Sequence, residues 1–432
     1  MKKIGAHRSG CGVALAILLI VASLSGCGSQ VGGTSAAGEV DVRQLAVGNY
    51  STDPLDVRVS YHHGTASGKA LALARLADHV VIGADVDPKF SHNVLALSLE
   101  SSTATLASVL ASAARPVLDA NGLMFGYSAA ASSRPLPSSV RSDRSGNFNP
   151  FNGAQSDPEA TVFNVTVLQF PDQQRAQAAA DQMEAADFAV ADDENVHVTL
   201  AKQPTAKAHW RPGVPSMAAT MPYGQYVVNV YVAQPDPDQE GLRGLAEQVF
   251  ATQLPLLDQA PALSPHEIFR LDYDPDAMLR RTLHPRDDYR PHPISEATHT
   301  PRGHLHYADD QATWKQLLDD NGVDRISTAS YGGLLFRARD SEAAAKLWSG
   351  IDRTTGDPAE APAKVPDTSC SAVPTEKTGV LRFAYDVAES ATVYICTLHY
   401  DRYVARVASP QLSDAQQKAA AQYALLANSR YM

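Results

Sequence analysis

The feature that most constrains how this 432-residue chain can fold is a pattern of strands and capped helices that occurs twice. Strands are predicted where apolar residues alternate, and helices where apolar residues recur three and four positions apart behind a capping residue. The elements of the first set are a strand at 163–167, a helix capped by Asp172, a strand at 226–232 and a helix that begins at Asp236. Those of the second set are a strand at 333–338, a helix capped by Asp340, strands at 380–385, 393–398 and 403–407, and a helix that begins with a capping box at Ser413.

This repetition predicts an α+β fold of two sandwich-like modules, each with helices packed on one face of a mostly antiparallel sheet. Matching caps are 64 residues apart in the first set, from Asp172 to Asp236, and 73 apart in the second, from Asp340 to Ser413. A distant internal duplication would give such intervals. The alternative is a pair of unrelated domains, because a strand followed by a capped helix is a common arrangement.

The N-terminal residues predict export and a lipid anchor. Three basic residues precede an apolar run from 12 to 22, and the lipobox Leu-Ser-Gly-Cys follows and ends at Cys27. The run has the length of a secretory signal and is too short to span a bilayer. Residues 1–26 are therefore predicted to be a lipoprotein signal peptide. Cleavage would leave a diacylated Cys27 as the new N-terminus, held in the cell membrane on its extracytoplasmic side.

The composition of the rest of the chain indicates where its domains and linkers lie. Small and polar residues without periodicity indicate a tether, and stretches rich in proline, serine and charge indicate irregular segments. The predicted order is a flexible tether at 27–40, an N-terminal α+β domain at 41–258 with a long loop at 131–160, an interdomain segment at 259–303 with seven prolines, and a C-terminal α+β domain at 304–432.

The charge balance argues against nucleic acid as a partner. The chain carries 36 basic and 47 acidic residues, and the predicted signal peptide contributes three of the basic ones. The mature chain would therefore have an excess of 14 acidic residues, whereas phosphate binding requires a basic surface. An acidic surface also repels anionic lipid headgroups, so membrane attachment is expected to depend on the acyl chains of Cys27.

Four cysteines are present, and two of them are assigned to the N-terminal segment. Cys11 would leave with the signal peptide and Cys27 would carry lipid, which leaves Cys370 and Cys396. A pair of cysteines in an exported protein predicts a disulfide. The alternatives are a metal site, which would need further ligands at suitable spacing, and a catalytic thiol, which is hard to keep reduced outside the cytoplasm.

Several phrases of the sequence resemble an actinobacterial family of cell-envelope lipoproteins whose function is not established. They are residues 39–45 with 47–50, residues 75–81 with 85–88, residues 125–128, residues 321–324, and residues 336–340 with 343–345. The resemblance covers nearly the whole mature chain. It implies a larger N-terminal and a smaller C-terminal domain, and a mycobacterial-type envelope in which the protein lies on the outer leaflet of the plasma membrane. It implies no catalytic residues.

Local motifs for enzymes and cofactors are missing from the mature sequence. There is no Gly-x-Ser-x-Gly, no Gly-x-Gly-x-x-Gly, no P-loop and no His-Glu-x-x-His. The sequence therefore predicts no cofactor and no catalytic residues. A triad that is assembled only in three dimensions would leave no such local trace, so a hydrolase stays open.

Histidines and acids offer weak candidates for metal binding. The densest histidine group is His292, His299, His304 and His306, which we interpret as solvated side chains in an irregular segment. The adjacent His62 and His63 would point to opposite faces of a strand. Residues 272–276 begin like a calcium loop, but Ala277 and Leu283 stand where Gly and Glu are needed. Asp85 and Asp87 precede a proline and are typical of a turn.

Tyrosines are concentrated on two predicted strand regions. They are Tyr223, Tyr226 and Tyr231 in the first module, and Tyr385, Tyr394, Tyr400 and Tyr403 in the second. Such side chains can contact a glycan, a lipid headgroup or a protein, or they can pack within an ordinary sheet, where tyrosine is favoured.

Two functions remain open from the sequence. The first is a membrane-anchored, non-enzymatic lipoprotein that binds an envelope lipid, glycan or protein, or serves as a scaffold. The second is an envelope hydrolase that acts on an ester or a glycan. A serine or aspartate within hydrogen-bond reach of a histidine in a pocket would favour the hydrolase.

Overall fold

The structure is a computed structural model that describes residues 40–100, 109–135, 157–308, 310–331, 333–352, 356–375 and 391–430. The predicted signal peptide, Cys27, the tether up to residue 39 and the predicted strand at 380–385 lie outside these residues. Within the described part of the chain, no helix combines the length and the apolar character needed to cross a bilayer.

The first module is built on a seven-stranded antiparallel sheet. Its strands are β1 (His92–Leu99), β2 (Phe125–Ser132), β3 (Val162–Gln169), β4 (Val196–Val198), β5 (Lys207–Trp210), β6 (Ser216–Tyr223) and β7 (Tyr226–Ala233). They lie in the order β1-β2-β3-β7-β6-β5-β4, and every neighbouring pair is antiparallel. The predicted strands at 163–167 and 226–232 are thus the central pair of this sheet.

The second module repeats this arrangement. Its strands are β8 (Ala297–His299), β9 (Arg325–Ala329), β10 (Gly333–Arg337), β11 (Asp357–Ala359), β12 (Thr368–Pro374), β13 (Thr392–Tyr400) and β14 (Tyr403–Ser409). They lie in the order β8-β9-β10-β14-β13-β12-β11, again antiparallel throughout. In both modules a three-strand meander, a helix and a four-strand meander follow one another, and the last strand pairs with the third. The predicted α+β fold with two antiparallel sheet modules is confirmed, and the shared order supports an internal duplication.

Helices connect and cover the strands. They are α1 (Leu55–Arg58), α2 (Thr65–Ala77), α3 (Gly83–Val86), α4 (Arg115–Ala120), α5 (Gln173–Phe188), α6 (Gln239–Leu257), α7 (Pro265–Ile268), α8 (Pro301–Leu305), α9 (Gln311–Asp320), α10 (Ser341–Asp352) and α11 (Leu412–Asn428). Helices α5 and α10 follow the third strand of their modules, and α6 and α11 follow the last. This placement matches the strand and helix order that was predicted from the sequence.

The helices lie on both faces of each sheet, and this corrects the prediction of helices on one face. In the first module, α2 and α6 share a core with one face of the sheet, and α4 and α5 share a core with the other. In the second, α9 and α10 pack on one face and α11 on the opposite one. The physical reason is that β2 and β3 are buried at every position, so each of their faces needs a cover.

The predicted caps of the third-strand helices are confirmed. The backbone N–H of Arg175 donates to Asp172 Oδ1 at 2.7 Å, and that of Ala343 donates to Asp340 Oδ1 at 2.8 Å. A carboxylate in this position satisfies an N–H group that has no partner within the helix. Because the following apolar residues keep helical spacing, these two helices could be located closely from the sequence.

The caps of the other two predicted helices differ from the prediction. Asp238, not Asp236, caps α6 and accepts from the second and third N–H groups of that helix. Ser413 lies inside α11, where no side chain caps the helix. Helix α4 begins at Arg115 with Pro116 in its first turn, where a proline is well tolerated.

Residues 42–60 form what we call the N-terminal strap, which lies against the second module. Tyr50 donates its hydroxyl hydrogen to Asp414 Oδ1 at 2.7 Å, and Asp56 pairs with Arg280 at 3.1 Å. Leu55 packs with Leu279 and Tyr289 in a small cluster of its own. The predicted N-terminal domain, 41–258, therefore begins with a segment that contacts the other module.

Candidate functional site

The candidate site is a cavity of about 320 Å³ in the first module, between the C-terminal end of α5 and strands β5 to β7. His209 on β5 lies opposite Ala218 on β6, which in turn lies opposite Tyr231 on β7. Side chains of directly opposed residues point to the same face of a sheet. These three residues therefore line one wall, and Asp187 of α5 lines the wall across from them.

His209 lies between two carboxylates from successive turns of α5. Its Nδ1 atom is 3.4 Å from Glu184 Oε1, and its Nε2 atom is 3.9 Å from Asp187 Oδ2. Glu184 is only 6% exposed, and neither its Oε1 nor His209 Nδ1 has a hydrogen-bond partner. Burial raises the pKa of Asp187, and the charge of Glu184 adds to that rise while His209 opposes it. His209 and Asp187 thus line the cavity, whereas Glu184 lies behind His209 and faces its Nδ1 atom.

Aromatic rings give the site its shape. Phe188 stacks on His197 with ring centroids 4.2 Å apart and meets His209 edge-on at 5.7 Å. The indole N–H of Trp210 donates to the carbonyl of Val214 at 2.7 Å, which fixes the ring at the cavity wall. Fixed rings present apolar surface at a small cost in conformational entropy.

In the second module an aromatic side chain packs between the corresponding helix and sheet. Helix α10, the counterpart of α5, places Trp348 against β13, the counterpart of β6. The indole N–H of Trp348 donates to the carbonyl of Thr397 at 3.0 Å.

The sequence prediction did not single out Glu184, Asp187 or His209. One signal was available, because Glu184 follows Ala176 and Ala180 at intervals of four along the buried stripe of the helix. A carboxylate on such a stripe is unusual unless it has a partner. The partner His209 comes from β5, and only the pairing of the strands brings it close.

Of the four histidines that were interpreted as solvated, His292 is exposed, whereas the other three are buried and for them the interpretation is wrong. His299, His304 and His306 are 2%, 5% and 1% exposed and lie where the two modules meet. His299 Nε2 bonds the carbonyl of Pro293 at 2.7 Å, and its Nδ1 is 3.4 Å from Asp78. Their neighbours Asp78 and Ala77 belong to the first module, whereas β8 and α8 belong to the second. The histidines therefore help to form the interface between the two modules.

The described residues contain no group of three or more His, Cys, Asp or Glu side chains placed to hold a metal ion. His63 bonds the hydroxyl of Tyr61, whereas His62 is exposed beside Ser60. Asp274, from the rejected calcium loop, accepts from the backbone N–H of Leu279 at 2.6 Å. That carboxylate therefore serves as a local cap.

A second cavity of about 250 Å³ lies between α3 and α8, where the modules meet. Its charged groups are largely paired with one another. Arg302 Nε donates to Asp85 Oδ2 at 2.9 Å, and the backbone N–H of Thr300 donates to Asp78 Oδ1 at 3.0 Å. We interpret this cavity as part of the interface.

Asp87 lies in a turn, as predicted, where its Oδ1 atom accepts from the backbone N–H of Lys89 at 2.9 Å.

The remaining predicted residues are placed as follows. Cys370 and Cys396 form a disulfide between directly opposed positions of β12 and β13, which confirms the predicted pair.

Tyr231 lines the cavity, whereas Tyr226 donates to the carbonyl of Ala260 at 2.9 Å. The other predicted tyrosines take part in local contacts or lie outside the described residues. Tyr223 bonds Asp258, Tyr400 meets Tyr423 edge-on, Tyr403 lies under Arg281, Tyr394 is on β13, and Tyr385 is outside.

Comparison with solved structures finds similarity to the extracellular domain of PknH from Mycobacterium tuberculosis. The identity is 15% and the TM-score is 0.28, with 43% of this chain and 96% of that chain covered. No curated protein matches the sequence. Two family models match in succession, the N-terminal one over residues 59–273 and the C-terminal one over residues 278–429. The chain therefore belongs to the two-domain DUF7373 family, whose N- and C-terminal domains are described as domains of unknown function.

Proposed function

We propose that the protein is an extracytoplasmic lipoprotein, anchored by acyl chains on Cys27, whose first module binds a small polar ligand of the cell envelope without transforming it. The lipobox and the resemblance to actinobacterial envelope lipoproteins support the anchor. The cavity between α5 and β5 to β7 supports the binding role.

The observation that carries the binding role is the combination of the volume of the cavity and the polar side chains that line it. At about 320 Å³ the cavity is at the lower end of the range for small-molecule sites, roughly 300–1,000 Å³. A few polar groups among apolar walls are what such sites use to orient a ligand. His209 and Asp187 both line the cavity, and His209 Nε2 is 3.9 Å from Asp187 Oδ2, so a ligand with a polar group can contact both side chains at once.

The hydrolase alternative receives less support. Activation of a serine needs its hydroxyl within about 2.6–3.2 Å of a base that a third group orients. Ser60 lies 3.4 Å from His62, and Ser295 lies 3.2 Å from His292, but both pairs are neighbours in the chain and neither lines a described cavity. A glycosidase needs two carboxylates that face the substrate, whereas Glu184 Oε1 is buried beside His209.

Native mass spectrometry of the full-length protein, extracted in detergent from the producing membrane, tests the binding role. We expect a non-covalent adduct of small-molecule mass on the wild-type protein. Ala218→Leu, which fills the cavity wall, should remove the adduct, and Gln174→Leu on the exposed side of α5 should retain it. A wild-type protein without an adduct, or an adduct that persists in Ala218→Leu, would contradict the proposal.

A further inference from the structure

The orientation of His209 suggests which chemical group the cavity accepts. Within the neutral imidazole, the carboxylate of Glu184, 3.4 Å from Nδ1, favours the tautomer that carries its hydrogen on Nδ1. The lone pair of Nε2 then faces Asp187 Oδ2 at 3.9 Å. Two acceptors are thereby brought together with no hydrogen between them.

One donor atom can serve both acceptors. Points 3.9 Å apart can each lie about 2.9 Å from a single nitrogen, which is a normal hydrogen-bond distance. Such a nitrogen must carry at least two hydrogens that diverge toward the two acceptors. An ammonium group meets this requirement and also carries the charge that Asp187 attracts.

The protein's own cations near the cavity are paired elsewhere. Lys207, two residues before His209, pairs with Asp181 at 2.7 Å, and Arg211, two residues after it, pairs with Glu194 at 3.2 Å. His197 approaches Glu184, not Asp187, and its side chain is 70% exposed. A cation for the space between His209 and Asp187 would therefore come from a ligand.

The rest of the wall suits a compact hydroxylated body. Trp210 and Tyr231 offer aromatic surface, and Ser216 and Asn229 offer hydroxyl and amide groups. Asn229 uses one amide hydrogen on Thr220 at 2.8 Å, which orients the side chain. A ligand with a hydroxylated ring would pack the ring on the aromatic side chains and place its hydroxyl groups beside the polar ones.

We propose that the cavity binds a small hydroxylated primary amine, of the amino-sugar or amino-alcohol class, with its ammonium group between Asp187 Oδ2 and His209 Nε2. The proposal rests on the binding role of the cavity and specifies the class of ligand. Glu184 acts as a positioning residue, because it touches His209 and does not line the cavity.

A matched pair of probes tests this class by nuclear magnetic resonance titration of the full mature chain. The probes are trans-4-aminocyclohexanol and trans-1,4-cyclohexanediol, which differ only in the exchange of an ammonium group for a hydroxyl. The amine is protonated at neutral pH, as a lysine side chain is. We expect the amine to bind at least about tenfold more tightly than the diol, with shifts centred on the cavity residues.

Two variants of α5 complete the test. Asp187→Asn should weaken binding of the amine about tenfold and leave binding of the diol unchanged. Asp181→Asn is the control, because that carboxylate is on the same helix and pairs with Lys207. Equal affinity for both probes, or no binding of either, would overturn the ammonium proposal. The native adduct experiment judges the binding role separately.

Discussion

Tyr127 of the first module donates its hydroxyl hydrogen to the hydroxyl of Tyr307 in the second module, at 3.1 Å. Both side chains are buried, and the ring of His306 lies 5.0 Å from that of Tyr127. His306 in turn bonds the carbonyl of Ala77 at 3.0 Å. Polar groups from both modules therefore satisfy one another in a buried interface, which makes the contact specific as well as stable.

We expect the two tyrosine hydroxyls to be energetically coupled. Tyr127→Phe and Tyr307→Phe should each lower the free energy of unfolding by about 1–2 kcal/mol, because each leaves a buried hydroxyl without its partner. The double variant should cost less than the sum of the two, because no unpaired hydroxyl remains. Urea unfolding of the four proteins measures the coupling. Additive losses would show that the contact is not energetically significant.

His306 should make the fold sensitive to acid. Burial, helped by the charge of His299, lowers the pKa of His306 to about 3, against about 6.5 in the unfolded chain. The unfolded chain therefore binds a proton that the folded chain rejects. The contribution of His306 is fully present above pH of about 6.5 and is lost as the pH falls from there toward 3.

His306→Gln tests this, because the amide keeps an N–H donor for Ala77 and does not titrate. The slope of unfolding free energy against pH should fall by up to about 1.4 kcal/mol per pH unit in the weakly acidic range. Chemical denaturation at a series of pH values measures the slope. His62→Gln, at an exposed position, is the control, and an unchanged slope in His306→Gln would contradict the assignment.

The disulfide should stabilise the second module. The loop that Cys370 and Cys396 close spans 26 residues, and the loop-entropy model gives about 3.5 kcal/mol for that length. The double variant Cys370→Ala/Cys396→Ala should unfold at lower urea concentration and should not respond to reductant. Non-reducing peptide mapping of the wild-type protein should recover the joined peptides. Alkylation of both thiols without prior reduction would disprove the pair.

Acylation should depend on a single cysteine. Cys27→Ala should abolish the lipid mass and move the protein from the membrane to the soluble fraction, because the excess of acidic residues in the predicted mature chain repels anionic lipids. Cys11→Ala lies within the predicted signal peptide and should leave the anchor intact. Intact-protein mass spectrometry with cell fractionation measures both effects. A lipid-sized mass that persists on Cys27→Ala would refute the anchor.

Local signals in the sequence predicted a large part of the fold. The N-caps Asp172 and Asp340 and the apolar spacing behind them located α5 and α10, because a cap and its helix are within a few residues of each other. The cysteine pair was predicted because only two cysteines remained to be assigned. Features that depend on neighbouring residues could thus be predicted without knowledge of strand pairing.

Features that depend on pairing between distant strands could not be predicted. Asn164 and Thr166 alternate with the apolar residues of β3, and polar residues in such an alternation are typical of a solvent-facing side, yet the structure buries both. Asn164 donates to Ser128 Oγ at 2.9 Å, and Ser128 and Thr166 share a hydrogen bond at 2.8 Å, so the buried polar groups satisfy one another. The cavity likewise requires the register of β5, β6 and β7.

The N-terminal strap brings the beginning and the end of the folded part of the chain together. Tyr50 bonds Asp414, and the side-chain amide of Asn428 donates to the carbonyl of Thr52 at 3.0 Å, so residues at both ends of α11 contact the strap. The chain therefore contacts the second module before it builds the first, and it returns to the second module afterwards. A module that is tied at both of its ends has less freedom to reorient than one that hangs on a single linker.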